Sequence, residues 1–309
     1  MGEHFRTILI VNPRAAGGST GKRVARIAEQ VRAHIGDFEM VFTERAGHAT
    51  ELARRAVLDG YEMVVGVGGD GTFNEVVNGF FEGRDAINPE AVFGLIPQGT
   101  GGDLRKTLGI ENDLAAAARR LAGKDTRRVD VGHLDFIDHG GCASERMFVN
   151  ITSFGVGGAV VDEVNRSRKL FGGKVTFMVG SAKALLRYRD QRVRLRFDDG
   201  PEECLQITNV AVCNGQYFGG GMWVAPKARM DDGLFDVTIW AGYSLKDFVL
   251  KQRMIYNGTH LDDARTRTLR ARTVHAESDE VVLLDVDGEQ PGRLPVTIEV
   301  LPSALRVKV

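Results

Sequence analysis

The sequence predicts two domains of different class: a doubly wound α/β domain over residues 1–130 and an antiparallel β-sandwich over residues 131–295. Three observations predict this. The chain has 309 residues, enough for two domains at roughly 150 residues each. Short apolar runs alternate with helically periodic segments as far as Leu121, as in successive βα units. Beyond Val129 apolar residues recur at every second position instead, which suits antiparallel strands with one buried face.

The elements follow in order. Ile8–Asn12 is a short strand ending in Asn-Pro, and Gly21–Ile35 carries Val24, Ile27, Ala28, Val31 and Ile35 at helical spacing. Glu39–Thr43 is a strand, Ala49–Leu58 a helix, and Met63–Val67 a buried strand that runs into glycines. Phe73–Phe81 is a helix, Val92–Ile96 a strand and Leu114–Leu121 an alanine-rich helix. Ligands of such sheets bind at the carboxyl ends of the strands, here Asn12, Thr43, Gly68 and Pro97. In the second half Val193–Phe197, Val210–Val212, Leu234–Ile239, Val281–Val286 and Val296–Val300 read as strands, with one helical stretch near Lys174–Arg189. The closing strand, within 296–309, suits either domain.

Composition excludes several classes. Hydrophobic residues make up 43% of the chain, which argues against wholesale disorder, and a net charge of -1 gives no reason to expect nucleic acid. Cys142, Cys204 and Cys213 are far apart and form no CxxC, so a disulfide framework or structural zinc is not expected. The 7 histidines include no HExxH, and no GxSxG occurs. No apolar run approaches the roughly 20 residues of a spanning helix, so a cytoplasmic protein is expected.

The strongest local signal is Gly68–Gly79, GGDGTFNEVVNG, after the buried strand. Glycines between a strand and a helix let backbone N–H groups approach phosphate oxygens. Gly66, Gly68 and Gly71 also satisfy the GxGxxG spacing of a dinucleotide site. Asp70 inside the run counts against that, since a carboxylate repels a pyrophosphate unless a cation intervenes, and the loop follows a later strand. Gly17–Lys22 approaches a Walker A loop, but Ala16 and Arg23 break its spacing.

GGDGTFNEVVNG resembles the diacylglycerol kinase catalytic domain family, which includes soluble bacterial lipid kinases and the sphingosine and ceramide kinases. Further motifs follow in order: Asn12–Gly18 is similar to NPxxGG, Thr43–Ala49 to TxxxGHA, Gly99–Asp103 to GTGND, and Asp130–Gly132 to DVG. Gly219–Pro226 with Asp231–Leu234 resembles GGG…P…DDGL, and Asp287–Glu289 resembles DGE. One departure is Gly102, where the family usually has asparagine.

The resemblance implies an NAD kinase-like nucleotide-binding domain and Mg²⁺-dependent transfer of the ATP γ-phosphoryl group to a hydroxyl of diacylglycerol or a related lipid, a role in phospholipid metabolism. Gly68, Gly69, Asp70, Gly71, Thr72, Phe73, Asn74 and Glu75 are then expected at the phosphates. Asn12, Pro13, Arg14, Gly17 and Thr43 are expected at the nucleoside side, and Thr100 at a phosphate or the ribose. Asp70, Asp103 and Asp130 are implied to position the catalytic Mg²⁺ through waters; aspartates in turns and at helix N-termini are also common for structural reasons alone. Asp287 is implied as general base with Glu289 beside it, the two facing one cleft if the strand continues through them. Asp-Gly is also a favoured hairpin turn. A structural Mg²⁺ is implied on the Asp232 side chain and the carbonyls of Arg229 and Leu234, against the plainer reading of an Asp-Gly turn.

The partner implied is a lipid at a membrane surface, approached peripherally. Arg166, Arg168, Lys169 and Lys174 around Leu170 and Phe171, and the face Arg192, Arg194 and Arg196, are the cationic candidates, or else plain solvated surface. Oligomeric state stays open, a dimer included. Two alternatives also stay open: an NAD kinase-like small-molecule kinase, and a nucleotide-binding regulator without catalysis.

Overall fold

A computed structural model describes residues 4–99, 101–167 and 188–309, the side chains of 165–167, 245, 248 and 249 excepted. In chain order the first elements are β1 (Thr7–Val11), α1 (Ser19–Ile35), β2 (Glu39–Phe42), α2 (His48–Leu58), β3 (Met63–Gly68) and α3 (Asp70–Asn78). The short pair β4 (Phe81–Glu82) and β5 (Asp85–Ala86) precedes β6 (Val92–Pro97), α4 (Asp103–Thr107), α5 (Leu114–Arg120), β7 (Thr126–Asp138), β8 (Ala143–Phe148), β9 (Ile151–Gly155) and α6 (Val156–Ser167). Then come β10 (Gln191–Phe197), β11 (Glu203–Ile207), β12 (Asn209–Cys213), β13 (Tyr217–Phe218), β14 (Met222–Trp223), β15 (Phe235–Trp240) and α7 (Leu245–Asn257). The chain closes with β16 (Thr266–Ala271), β17 (Thr273–Glu277), β18 (Leu284–Val286) and β19 (Gly292–Lys308). The expected helix near Lys174–Arg189 falls largely outside the described residues.

Two compact units emerge: residues 1–131 with 301–309, and residues 132–300. In the first, β6, β3, β1 and β2 lie in that order, all parallel. TILIV, MVVGVG and VFGLIP are buried at every position, as parallel strands covered on both faces require. Ile27, Val31 and Ile35 of α1 and Ala118 of α5 close a core over Leu9, Val11, Val65, Val67 and Ile96. α3 packs on α2 and β3, with Phe73 edge-on to Phe93 at 6.3 Å. The end of β19 joins this sheet: Arg306 and Val307 lie parallel to Val92 and Phe93 of β6.

The second unit is antiparallel. β11–β10–β17 continue onto the first part of β19, with β7 pairing β19 and β8; a second sheet has the order β16–β15–β12–β9–β18. Alternating residues of both sheets share one core: Leu134, Phe148, Leu195, Val274 and Ile298 with Phe154, Val212, Phe235, Val237 and Leu284. Phe148 and Phe235 stack at 5.5 Å across it.

Candidate active site

In the first unit the site grows from the ends of β1, β3 and β6. β3 stops at Gly68, and Gly69 caps α3, so the positive end of that helix dipole sits at the carboxyl edge of the sheet. A Cβ on Gly99 would lie 2.6 Å from the Cα of Gly69, and one on Gly68 would lie 2.5 Å from Thr72 Oγ1. The loops after β3 and β6 thus touch backbone to backbone, which only glycine permits. Asn12, just past β1, donates Nδ2–H to Thr72 Oγ1 (3.0 Å), and its Oδ1 accepts Arg14 N–H. The helix starts at Asp70 rather than the expected Phe73, because Gly69 adopts the extended cap conformation.

Asp70 does not face the glycines of its own loop. Its carboxylate accepts backbone N–H groups from Gly102 (2.9 Å), Asp103 (3.2 Å) and Leu104 (3.2 Å). It thereby caps α4 and locks the loop after β6 onto the loop after β3. Gly102 has φ +65°, a left-handed conformation open to glycine and tolerated by asparagine. The departure at this position therefore keeps the backbone the loop needs. Burial, with the charge of nearby Asp103, raises the Asp70 pKa above the ordinary carboxylate value. Asp103 is buried and pairs with Lys106 Nζ at 3.2 Å. A half-buried carboxylate beside a buried one fits a bound cation such as Mg²⁺, whose charge would offset their repulsion.

The remaining expected residues divide by placement. Thr43 is buried, and its N–H donates to the Val11 carbonyl. Phe73 and Asn74 are fully buried, so in this structure they support α3 from within. Glu75 Oε2 accepts Ala49 N–H at the start of α2, which couples the GGDG helix to the Thr43–Ala49 segment. Pro13 and Arg14 lead into a turn in which Gly17 has φ +66°. Asp130 is buried, and Ser303 N–H donates to it at 2.7 Å, a tie within the first unit. Thr100 lies outside the described residues.

In the second unit the strand before the DGE motif ends early. Only Leu284–Val286 pair with β9, and Val286 and Glu289 exchange backbone hydrogen bonds around Asp287-Gly288. Asp287 (φ +48°) and Gly288 (φ +87°) are thus the centre of a two-residue hairpin turn. The expected alternation through this segment fails, and the two carboxylates take separate partners. Asp287 Oδ2 accepts Val149 N–H (2.9 Å), while its Oδ1 accepts Asn150 N–H (3.1 Å) and Ile151 N–H (2.9 Å). Glu289 pairs with Arg146 at 2.7 Å. Three donors on one carboxylate match its charged form and fix its direction.

Asp285 escaped sequence reasoning, although an acid inside the apolar run Val281–Val286 is itself a signal. Its side chain is buried; Oδ1 accepts Gly288 N–H (2.9 Å), and Ser153 Oγ lies 3.5 Å from Oδ2. Burial, aided by the charge of Asp287 and against the Gly288 N–H bond, pushes its pKa up to about 7.

In the Arg229–Leu234 turn, the Asp232 side chain expected at a structural Mg²⁺ has protein partners. Asp232 Oδ1 accepts Leu234 N–H (3.3 Å), and its Oδ2 is ion-paired with Arg270. Of the expected cationic face, Arg194 is ion-paired with Glu277 and Asp279, and Arg192 Nε reaches Cys204 Sγ. Arg168, Lys169 and Lys174, and the Arg166 side chain, lie outside the described residues. No described helix is long and apolar enough to cross a membrane.

Comparison with known proteins meets these features. Residues 6–134 match the diacylglycerol kinase catalytic domain, and residues 150–309 match the YegS C-terminal NAD kinase beta sandwich-like domain. The chain is 27% identical over 291 residues to a protein named "Diacylglycerol kinase" from Bacillus subtilis (strain 168), covering 94% of this chain and 91% of that one. It is 30% identical over 267 residues to "Probable lipid kinase YegS-like" from Chromohalobacter salexigens, covering 85% and 81%. A crystal structure of a diacylglycerol kinase from Bacillus anthracis str. Sterne is similar with a TM-score of 0.73 at 22% identity, over 100% of this chain and 98% of that one, which is likeness of fold.

Proposed function

The chain belongs to the diacylglycerol kinase catalytic domain family and is a lipid kinase; from there we propose that it transfers the γ-phosphoryl group of ATP to a hydroxyl of diacylglycerol or a close relative. The observation that carries this reading is the contact of the two glycine loops, fastened by Asp70 on the backbone of Gly102–Leu104. Such a fixed loop presents the N-terminus of α3 to an anion without reorganising.

In this reading the backbone at Gly68, Gly69 and Gly71, with Thr72 and Asn12, binds and orients the triphosphate. Arg14, Gly17 and Thr43 border the nucleoside. Asp70 and Asp103 would hold Mg²⁺, which when bound offsets negative charge on the phosphate oxygens. Asp287 accepts the proton of the lipid hydroxyl. The freed oxygen forms the new bond to the γ-phosphorus as the bond to the β-phosphate oxygen breaks, and ADP leaves. Arg146, paired with Glu289, sits beside the DGE turn as a cation.

The test is a radiolabelled ATP assay of the purified full chain against a panel of diacylglycerol, monoacylglycerol, sphingosine, ceramide and phosphatidylglycerol. Label is expected on diacylglycerol, and Asp287→Asn should reduce it by roughly 10²-fold or more. Label on none of the lipids, or transfer to NAD instead, would overturn the reading.

A further inference from the structure

A second cluster of ligating side chains lies on β7 and β8, and neither the nucleotide loop nor the DGE turn uses it. His133 and Asp135 are two apart on β7, so they share a face. Glu145 of β8 stands directly opposite Asp135 in the antiparallel register. The intervening Leu134 points the other way, into the sandwich core. Each of the three side chains offers one ligand atom, and these atoms lie within 4.8 Å of one another.

The imidazole makes this more than two neighbouring acids. The His133 side chain is 1% exposed, whereas those of Asp135 and Glu145 are 48% and 54% exposed. Its Nε2 lies 3.3 Å from Glu145 Oε2, and its Nδ1 is buried with no hydrogen-bond partner, 3.8 Å from Asp135 Oδ2. A proton on Nε2, shared with Glu145, leaves a lone pair on Nδ1 aimed towards a carboxylate oxygen. At 3.8 Å that pair is too far apart for a hydrogen bond, and lone pair faces lone pair. A buried nitrogen left this way is costly, and a cation held between it and the carboxylate satisfies it. Ligands on a tetrahedral zinc ion, bound at about 2.0–2.1 Å, stand roughly 3.3 Å apart, a few tenths of an ångström inside the observed gap. A carboxylate on the other ring nitrogen is the usual support for a metal-bound histidine.

We propose that His133, Asp135 and Glu145 form a binding site for a divalent transition-metal ion of the zinc class, with His133 Nδ1 and Asp135 as ligands and Glu145 orienting the ring or entering as a third ligand. Imidazole favours zinc over Mg²⁺, so the ATP-linked cation is not its occupant. The site ties β7 to β8, and β8 runs on into Val149–Ile151, whose N–H groups hold Asp287.

The test uses the full chain, stripped with chelator and titrated with ZnCl₂, then with MgCl₂, by calorimetry and thermal melting. One zinc per chain is expected, with a raised Tm, and Mg²⁺ at the same concentration should not reproduce it. His133→Ala and Asp135→Asn should each weaken zinc binding by at least tenfold, and Glu145→Gln by less. Cobalt substitution should give a visible spectrum that the Asp135→Asn variant, which keeps the buried ring, alters. Zinc uptake unchanged by these substitutions would overturn the proposal. So would the absence of zinc binding.

Discussion

Asp70 and Asp287 are held alike: each carboxylate accepts N–H groups from three consecutive residues far away in sequence, Gly102–Leu104 for one and Val149–Ile151 for the other. Their settings differ. Asp70 opens a helix, lies beside buried Asp103, and has a pKa raised first by burial. Asp287 stands at the tip of a hairpin, at positive φ, with the buried acid Asp285 behind it. The same cradle therefore does two jobs. Around Asp70 it fastens one loop to another; around Asp287 it fixes the direction of a carboxylate at a hairpin tip.

The largest expected effect separates these jobs. Asp287→Asn should cut turnover by roughly 10²-fold or more while leaving ATP affinity, measured by calorimetry, within about twofold. Asparagine tolerates the left-handed backbone that alanine would strain, but its amide hydrogens would face the N–H groups of Val149–Ile151, so turnover is compared at matched folded fraction, checked by urea titration. Equal losses in ATP affinity and turnover would collapse the distinction. Next is Asp70→Asn, whose amide hydrogens would face backbone donors. It should destabilise the protein by about 1–3 kcal/mol in urea titration and weaken ATP binding with it. A stable Asp70→Asn protein with intact ATP affinity would remove the fastening role.

A smaller effect concerns Asp285. Its folded pKa of about 7 lies above the ordinary 3.8. Between those values the folded state keeps a proton that the unfolded chain releases. Its contribution to stability is thus complete below about pH 4 and is lost as pH rises towards 7, at no more than about 1.4 kcal/mol per pH unit. Asp285→Asn should flatten that part of the stability–pH profile. A profile unchanged by the substitution would mean that Asp285 is ionised throughout. The smallest effect is at Gly102. Any Cβ there meets Arg105 Nε at 2.8 Å, so asparagine should be near neutral only if the Arg105 side chain moves aside, and valine, disfavoured at φ +65°, should cost at least about 1 kcal/mol more than asparagine.

Much of this arrangement was legible in the residues. The apolar runs Ile8–Asn12, Met63–Val67 and Val92–Ile96, alternating with helically periodic segments, read as strands of a parallel sheet, and the change to period-2 alternation marked the second sheet system. The glycines of Gly68–Gly71 announced a close approach. What it approached was hidden, because Asp70 and Asp287 are held by backbone N–H groups, which every residue except proline carries and which leave no trace in side-chain pattern. The same blindness misjudged Val281–Val286. Its apolar character reflects burial, yet only its last three residues pair with β9, and Leu283 makes an isolated bridge to Arg293. The acids Asp232 and Asp285 were visible, but their neutralisation by Arg270 and by burial needed three dimensions.

The last strand carries one further meaning. Residues 301–309 belong to the unit that residues 1–131 begin, so the second unit is an insertion within the first. β6 receives Arg306 and Val307 as neighbours, Asp130 receives the N–H of Ser303, and Lys308 reaches the carbonyls of Gly123 and Asp125. On a ribosome that emits the chain from its N-terminus, the domain started first is finished last. The edge of β6 that Arg306 and Val307 pair with stays open while the sandwich is made.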